Sequence, residues 1–174
     1  MAVSNQTQIP RILPKIIPEK VIGVISDTHV PARARCIPKE VHQVFENVDY
    51  IIHAGDLVEL TVIDELEQIA PVLAVQGNMD NPEVSQMLPK LNSLKLFGWK
   101  IGVAHDQSML HDVGRIKEII ESNKFNVFIN GHTHRSSIKW DNQTLYINPG
   151  SPITPDTPFN KPTVALLKIS KDSI

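Results

Sequence analysis

The chain has 174 residues, 41% hydrophobic, 21% charged and 5% aromatic, with a formal net charge of -2. That length suits one domain able to bury roughly two-thirds of its unfolded surface. The charge offers no basic surface for nucleic acid or anionic lipid, and no apolar run approaches the ~20 residues of a membrane span.

Cys36 is the only cysteine, which excludes an intramolecular disulfide. With no charged-then-apolar leader at the N-terminus, a reducing compartment, the cytoplasm, is expected. Cys36 itself reads as a small, partly buried apolar side chain, because no Cys-His motif surrounds it.

Residues 1–19 form a proline-rich arm in which Pro10, Pro14 and Pro18 alternate with Ile9, Ile12, Leu13, Ile16 and Ile17. Prolines four residues apart rule out a regular helix, so the arm is expected to be extended. Its isoleucines suit it to lie against the domain or against a neighbouring subunit of a homo-oligomer. A disordered extension is the alternative.

A single domain is expected over 20–174. From Val21 onward, short apolar runs alternate with amphipathic stretches, the pattern of βαβ units. Val21–Ile25 reads as a buried strand leading to Asp27 and His29. Pro38 opens a helix that places Val41, Val44, Phe45 and Val48 on one face. Tyr50–Ile52 is the next strand and runs into Gly55-Asp56. Leu60, Ile63, Leu66 and Ile69 have helical spacing, and Val72–Val75 is a third strand ending before Gly77-Asn78.

Leu94–Val103 reads as two strands around a tight turn at Gly98, the second reaching His105. A helix using Val113, Ile116, Ile119 and Ile120 follows, and Val127–Ile129 then delivers His132 and His134. Later strands are expected over Ser137–Trp140, Leu145–Ile147 and Thr163–Ile169, with a turn at Asp141-Asn142. Mixed pairing and late hairpins favour two sheets packed face to face with helices outside.

Four stretches carry the chemistry: Asp27-Thr28-His29, Gly55-Asp56, Gly77-Asn78-Met79-Asp80 and Gly131-His132-Thr133-His134. Each follows a strand, so all lie where α/β proteins bind ligands, beyond the carboxyl ends of parallel strands. Asp27 and His29, two apart, can point the same way on an extended segment. Nitrogen and oxygen donors without thiolate suit Mn, Fe, Co, Ni or Zn rather than Ca or Mg. A lone Asp or Asn at a strand end is ordinarily a turn or cap residue. Asp27, His29, Asp56, Asn78, His105, His132 and His134 in this order are a pattern that turns alone do not explain.

This ordered set resembles the calcineurin-like metallophosphoesterase superfamily over Val21 to Ile169. The short length and Ile147-Asn148-Pro149-Gly150-Ser151 resemble its small prokaryotic phosphodiesterase branch. The resemblance implies an α/β (α+β) fold of two mixed β-sheets packed as a sandwich, with helices on the outer faces in four αββα layers. It implies two divalent transition-metal ions, manganese foremost, with nickel, iron, cobalt or zinc as alternatives. Asp27, His29 and His134 then hold one ion, Asn78, His105 and His132 the other, and Asp56 bridges. Asp56, Asn78 and His105 are the expected catalytic positions. A small phosphorylated substrate, a diester rather than a monoester, is then attacked in line by a hydroxide held between the ions. Activity is expected to fall below about pH 6, because imidazoles must be neutral to bind metal.

Two positions depart from the family pattern. Met79 stands where much of the superfamily has a histidine thought to protonate the leaving group, although the small branch commonly lacks it. His105-Asp106-Gln107 stands where that branch usually reads His-Gly-His. With neither histidine present, good leaving groups are expected to be preferred.

Among the remaining residues, His42 is expected at the surface, and His53 as a satisfied core or supporting residue. His111 is expected either to start the helix after His105 or to supply the missing proton. Asp80 is expected to order the Asn78 loop, Asn148 and Gly150 to shape a turn nearby. Arg33, Arg35 and Arg135 are expected as solvated charges, with Arg135, next to His134, the alternative contact for a phosphate oxygen. Substrate choice is expected to rest on the loops 31–37, 82–88 and 106–111. The rival reading is a non-catalytic protein-binding scaffold of the same fold, as in the small retromer subunit of eukaryotes. A metal-dependent nuclease is disfavoured by the absence of a basic or aromatic strand-binding stretch.

Overall fold

The computed structural model describes residues 18–106, 115–153 and 161–174. Nearly all of the proline-rich arm, His111, and Val113 of the helix expected after His105 lie outside these residues.

The described chain runs β1 (Glu19–Ile25), α1 (Lys39–Phe45), β2 (Tyr50–His53), α2 (Thr61–Glu67), β3 (Val72–Ala74), α3 (Pro82–Met87) and β4 (Leu91–Leu96). It continues through β5 (Trp99–Ala104), α4 (Arg115–Asn123), β6 (Val127–Ile129), β7 (Ser137–Asp141), β8 (Thr144–Asn148) and β9 (Ala165–Ser170).

Two sheets form, ordered β3-β2-β1-β9 and β4-β5-β6-β8-β7. In each, parallel strands carry antiparallel edges: β1, β2 and β3 run together with β9 opposed, and β5, β6 and β8 run together with β4 and β7 opposed. Both sheets are therefore mixed, as the alternating strand and helix pattern implies. The β4–β5 hairpin closes through Phe97 (φ 51°) and Gly98 (φ 95°), the left-handed pair that a two-residue turn requires.

Side-chain alternation along the strands divides the interior into three apolar layers. Ile22, Val24 and Ile52 of the first sheet meet Ile101, Val103, Val127, Ile129, Leu145 and Ile147 of the second. From the opposite face of the first sheet, Ile25 and Ile51 meet Val41 and Phe45 of α1 and Val62 and Leu66 of α2. Ala104 and Phe128 pack outward from the second sheet against Ile116 and Ile120 of α4. The result is the expected αββα sandwich.

Three local features differ from the sequence reading. Val44 is exposed, because Val41 and Phe45 take the inward face of α1 and leave Val44 beside it. Cys36 is exposed rather than partly buried, because Ile37 takes the inward position before Pro38. Residues 82–87, expected as a loop, form α3: the Asn81 side chain accepts the Val84 N–H at 2.9 Å and Pro82 sits at the first helical position.

Candidate metal centre

The carboxyl ends of the parallel strands in both sheets open onto one edge. Asp27 and His29 follow β1, Asp56 follows β2 and Asn78 follows β3. From the second sheet, His105 follows β5, and His132 and His134 follow β6. The site thus straddles the sandwich rather than crowning one sheet, and all seven sequence-selected residues converge.

The donor atoms lie close together. His29 Nε2 is 3.2 Å from His134 Nε2 and 3.7 Å from Asp56 Oδ2. His134 Nε2 is 3.3 Å from Asp27 Oδ1. His105 Nε2 lies 3.1 Å from Asn78 Oδ1, 3.3 Å from Asp56 Oδ2 and 4.0 Å from Asp27 Oδ1. His132 Nδ1 is 2.9 Å from the same Asn78 oxygen. Asp27 belongs to both tight groups, Asp27–His29–His134 and Asp27–Asp56–His105.

These spacings fit a cation. Nitrogen and oxygen donors bound to a common ion at about 2.1 Å sit about 3.0–3.4 Å from one another. The protonation pattern agrees. His105 Nδ1 donates to the Ala54 carbonyl at 2.7 Å, which leaves the Nε2 lone pair facing oxygens that are themselves acceptors. In that tautomer the converging lone pairs call for a cation, and in the metal-free protein Asp56 instead favours a proton on the His105 ring.

Backbone strain is concentrated here. Asp27 (φ 56°), His29 (φ 47°), Asp56 (φ 58°), His132 (φ 71°) and His134 (φ 54°) all occupy the left-handed region. For non-glycine residues this costs on the order of 1–3 kcal/mol each, and it persists only where the surroundings over-determine it.

Two glycines show how tight the surroundings are. A Cβ on Gly77 would lie 2.1 Å from Asp56 Oδ1 and 2.3 Å from the Asp56 backbone nitrogen. One on Gly131 would lie 1.9 Å from Ser26 Oγ. The Gly-Asn and Gly-His pairs therefore need glycine for close approach rather than for turn geometry.

The turns are held by hydrogen bonds. Asp56 Oδ1 accepts the Met79 N–H at 2.8 Å, which leaves Oδ2 facing the imidazoles. Asp80 accepts the Val58 N–H at 2.7 Å and the Gly77 N–H at 2.6 Å, so it orders the Asn78 loop as its spacing implies. Asn148 donates to the Gly131 carbonyl at 2.8 Å and to Thr133 Oγ1 at 3.1 Å.

Three supporting contacts have no signature in the sequence. The Ser151 hydroxyl donates to the Asp27 carbonyl at 2.8 Å, the Ser26 hydroxyl to the Ala54 carbonyl at 3.1 Å, and the Asp106 carboxylate lies 3.7 Å from His132 Nε2. Serines and a carboxylate at loop positions are too common to stand out singly.

Burial separates a floor from a rim. Asp27, His29, Asp56 and His105 are buried; Asn78, Met79 and His132 are exposed and His134 is half-buried. Burial pushes the His29 imidazole below its ordinary value, against the pull of Asp56 and Asp27. Burial acts the same way on His105, but the hydrogen bond and charge of Asp56, with Asp27, leave it raised. The Asp56 carboxyl would be raised by burial; His105 and the Met79 N–H hold it below the usual range instead. Burial raises Asp80 despite its two backbone bonds. Beneath the floor, burial drives His53 down to about 3.

Among the other sequence-selected residues, His42 is half-exposed and 3.2 Å from Glu65. Arg33, Arg35 and Arg135 are exposed.

The model of the calcineurin-like phosphoesterase superfamily domain matches residues 21–172. The chain belongs to that superfamily. Within it, the chain is 36% identical over 155 residues to a probable metallophosphoesterase of Methanothermobacter thermautotrophicus, a match covering 88% of each chain. It is 33% identical to a phosphodiesterase of Methanocaldococcus jannaschii, covering 74% of this chain and 82% of that one. Among solved structures it is similar to Vps29 of Entamoeba histolytica in complex with zinc, at a TM-score of 0.69 and 25% identity over 86% of each chain. In this calcineurin-like chain, no helix among the described residues is long and apolar enough to cross a membrane.

Proposed function

We propose that the protein is a phosphodiesterase working with two divalent transition-metal ions. The observation that carries this reading is the convergence of Asp27, His29, Asp56, Asn78, His105, His132 and His134 at one edge, with donor spacings of 2.9–4.0 Å. In this reading Asp27, His29 and His134 hold one ion and Asn78, His105 and His132 the other. Asp56, whose Oδ2 lies close to both His29 and His105, would be the ligand shared between them. Ions held there supply Lewis acidity and an acidified water for in-line attack on a phosphate diester.

The chain's own residues define the rest. Asp27 and Asp56 provide the anionic charge, buried where it is least screened. Ala54 fixes the His105 tautomer. Arg135, exposed and next to His134 in the chain, would be the cation to meet a phosphate oxygen. Met79 at the rim offers no proton, so esters with acidic leaving groups are favoured.

The similarity to Vps29 supports a second reading, a non-catalytic scaffold of the same fold. One assay separates them. Reconstituted with Mn or Ni, the wild type should hydrolyse bis(p-nitrophenyl) phosphate, and Asp56→Ala should lose about 10³-fold or more, as expected when a charge-stabilising group is removed. Equal metal-dependent rates in the two proteins, or none in either, would leave the scaffold reading standing.

A further inference from the structure

His53 ends β2, just before the Ala54-Gly55-Asp56 turn, and is fully buried. Its Nε2 lies 3.1 Å from Thr28 Oγ1, whereas its Nδ1 has no hydrogen-bond partner. That Nδ1 is the one buried side-chain nitrogen or oxygen left unpaired among the described residues. The satisfied core histidine expected from the sequence is therefore half-satisfied. A ring that leaves one buried nitrogen bare is destabilising unless its other nitrogen offsets the loss.

What the other nitrogen does is specific. Thr28 stands between Asp27 and His29, both in the left-handed region. Its hydroxyl lies 3.5 Å from the carbonyl oxygen of Asp56, a third left-handed residue, and that carbonyl also accepts the His29 N–H at 3.0 Å. Either tautomer of His53 holds the hydroxyl. With the proton on Nε2, no buried N–H is left bare and the hydroxyl proton turns toward the Asp56 carbonyl. Two strained turns from neighbouring strands then meet at one hydroxyl backed by one imidazole.

We propose that His53, acting through the Thr28 hydroxyl, is a positioning residue that clamps the Asp27–His29 turn against the Asp56 turn and sets the spacing of their side chains toward a divalent cation. This inference rests on the metal-centre reading above.

Calorimetric titration of Mn²⁺ into the chelator-stripped, full-length protein tests it, together with the visible spectrum of the Co²⁺-loaded form. Thr28→Val and His53→Leu should each weaken binding about tenfold or more, the effect typical of outer partners of metal ligands. The double variant should be no weaker than the worse single one, because both remove the same clamp. His53→Gln, which keeps a donor and an acceptor at the Nε2 position, should bind within about threefold of wild type and retain the wild-type Co²⁺ spectrum. Thr28→Val is isosteric and keeps the test decisive if His53→Leu fails to fold.

Wild-type affinity in Thr28→Val overturns the clamp, as does a glutamine variant no better than leucine. A wild type that takes up no ion overturns both the clamp and the metal-centre reading; tight wild-type binding with unaffected variants overturns the clamp alone.

Discussion

The two sheets contribute unequally to the site. Turns of the first sheet bond to each other through their backbones: Asp27 N–H to Gly55, His29 N–H to Asp56 and Val30 N–H to Leu57, each at 3.0 Å, with Asn81 N–H on Val58 at 3.2 Å. The second sheet's turns are joined by Gly131 N–H on the His105 carbonyl at 2.9 Å and by the Asn148 side chain. The first sheet accordingly supplies both carboxylates and His29 to the buried floor, and Asn78 to the rim. The second supplies three imidazoles, His105 buried in the floor, His134 half-buried and His132 exposed. The two carboxylates lie where burial strengthens their field, and Asn78, His132 and His134 lie nearer solvent.

The largest expected effect attacks the floor through a glycine. Gly77→Ala brings a methyl to 2.1 Å from Asp56 Oδ1 and 2.3 Å from a backbone nitrogen that cannot swing aside. Overpacking of this kind costs roughly 1–3 kcal/mol, which should lower the melting temperature of the metal-free protein by about 3–10 °C. Mn²⁺ affinity should fall about 100-fold with it. His132→Ala at the exposed rim should reduce metal uptake while moving the metal-free melting temperature by less than about 2 °C, as surface substitutions do. Equal thermal effects would erase the distinction between floor and rim.

That distinction was only partly legible in the sequence. The ligands could be picked out because each sits within two to five residues of an apolar strand, and strand ends are the most recognisable places in an α/β chain. Which strands lie side by side could not be read. The β6–β8 pairing skips β7, and nothing local in Val127–Ile129 specifies Leu145–Ile147 as its neighbour. Helix α3 escaped because it buries only Val84, too little for a 3.6-residue period to register, although Asn81-Pro82 carried its capping signal. The exposure of Cys36 depended on Ile37 winning the inward position, a matter of packing. The bare His53 nitrogen is likewise invisible without its neighbours.

A middle-sized effect tests the rim. Asp106 stands where the small branch of the superfamily usually has glycine, and its carboxylate is 3.7 Å from His132 Nε2, on the far side of the ring from the Asn78 contact. Asp106→Asn keeps the shape and removes the charge. On the two-ion reading proposed above, it should weaken binding of one ion by about tenfold and leave the other unchanged, as read by sequential Mn²⁺ titration. Equal weakening of both ions would assign Asp106 to the general field of the site rather than to His132.

The smallest effect concerns protons beneath the floor. The folded value of His53 is about 3, against an ordinary value near 6.5 for the unfolded chain. Between those values the unfolded chain binds a proton that the folded ring refuses. Its contribution is therefore present above about pH 6.5 and lost progressively as the pH falls toward 3. His29, also lowered, has the same sign. His105, raised, has the opposite one: its contribution is present below 6.5 and fades as the pH rises through its folded value.

Comparing wild type with His53→Gln isolates the one ring, because His29 and His105 titrate in both proteins. Denaturant unfolding of the metal-free proteins should give a constant stability difference above about pH 7.5, shifting in favour of glutamine between pH 6.5 and 4.5. A difference that stays the same at pH 4.5 and pH 8 would mean that the folded ring protonates as readily as the unfolded one. Water would then reach beneath the carboxylates, and the floor would be no drier than the rim.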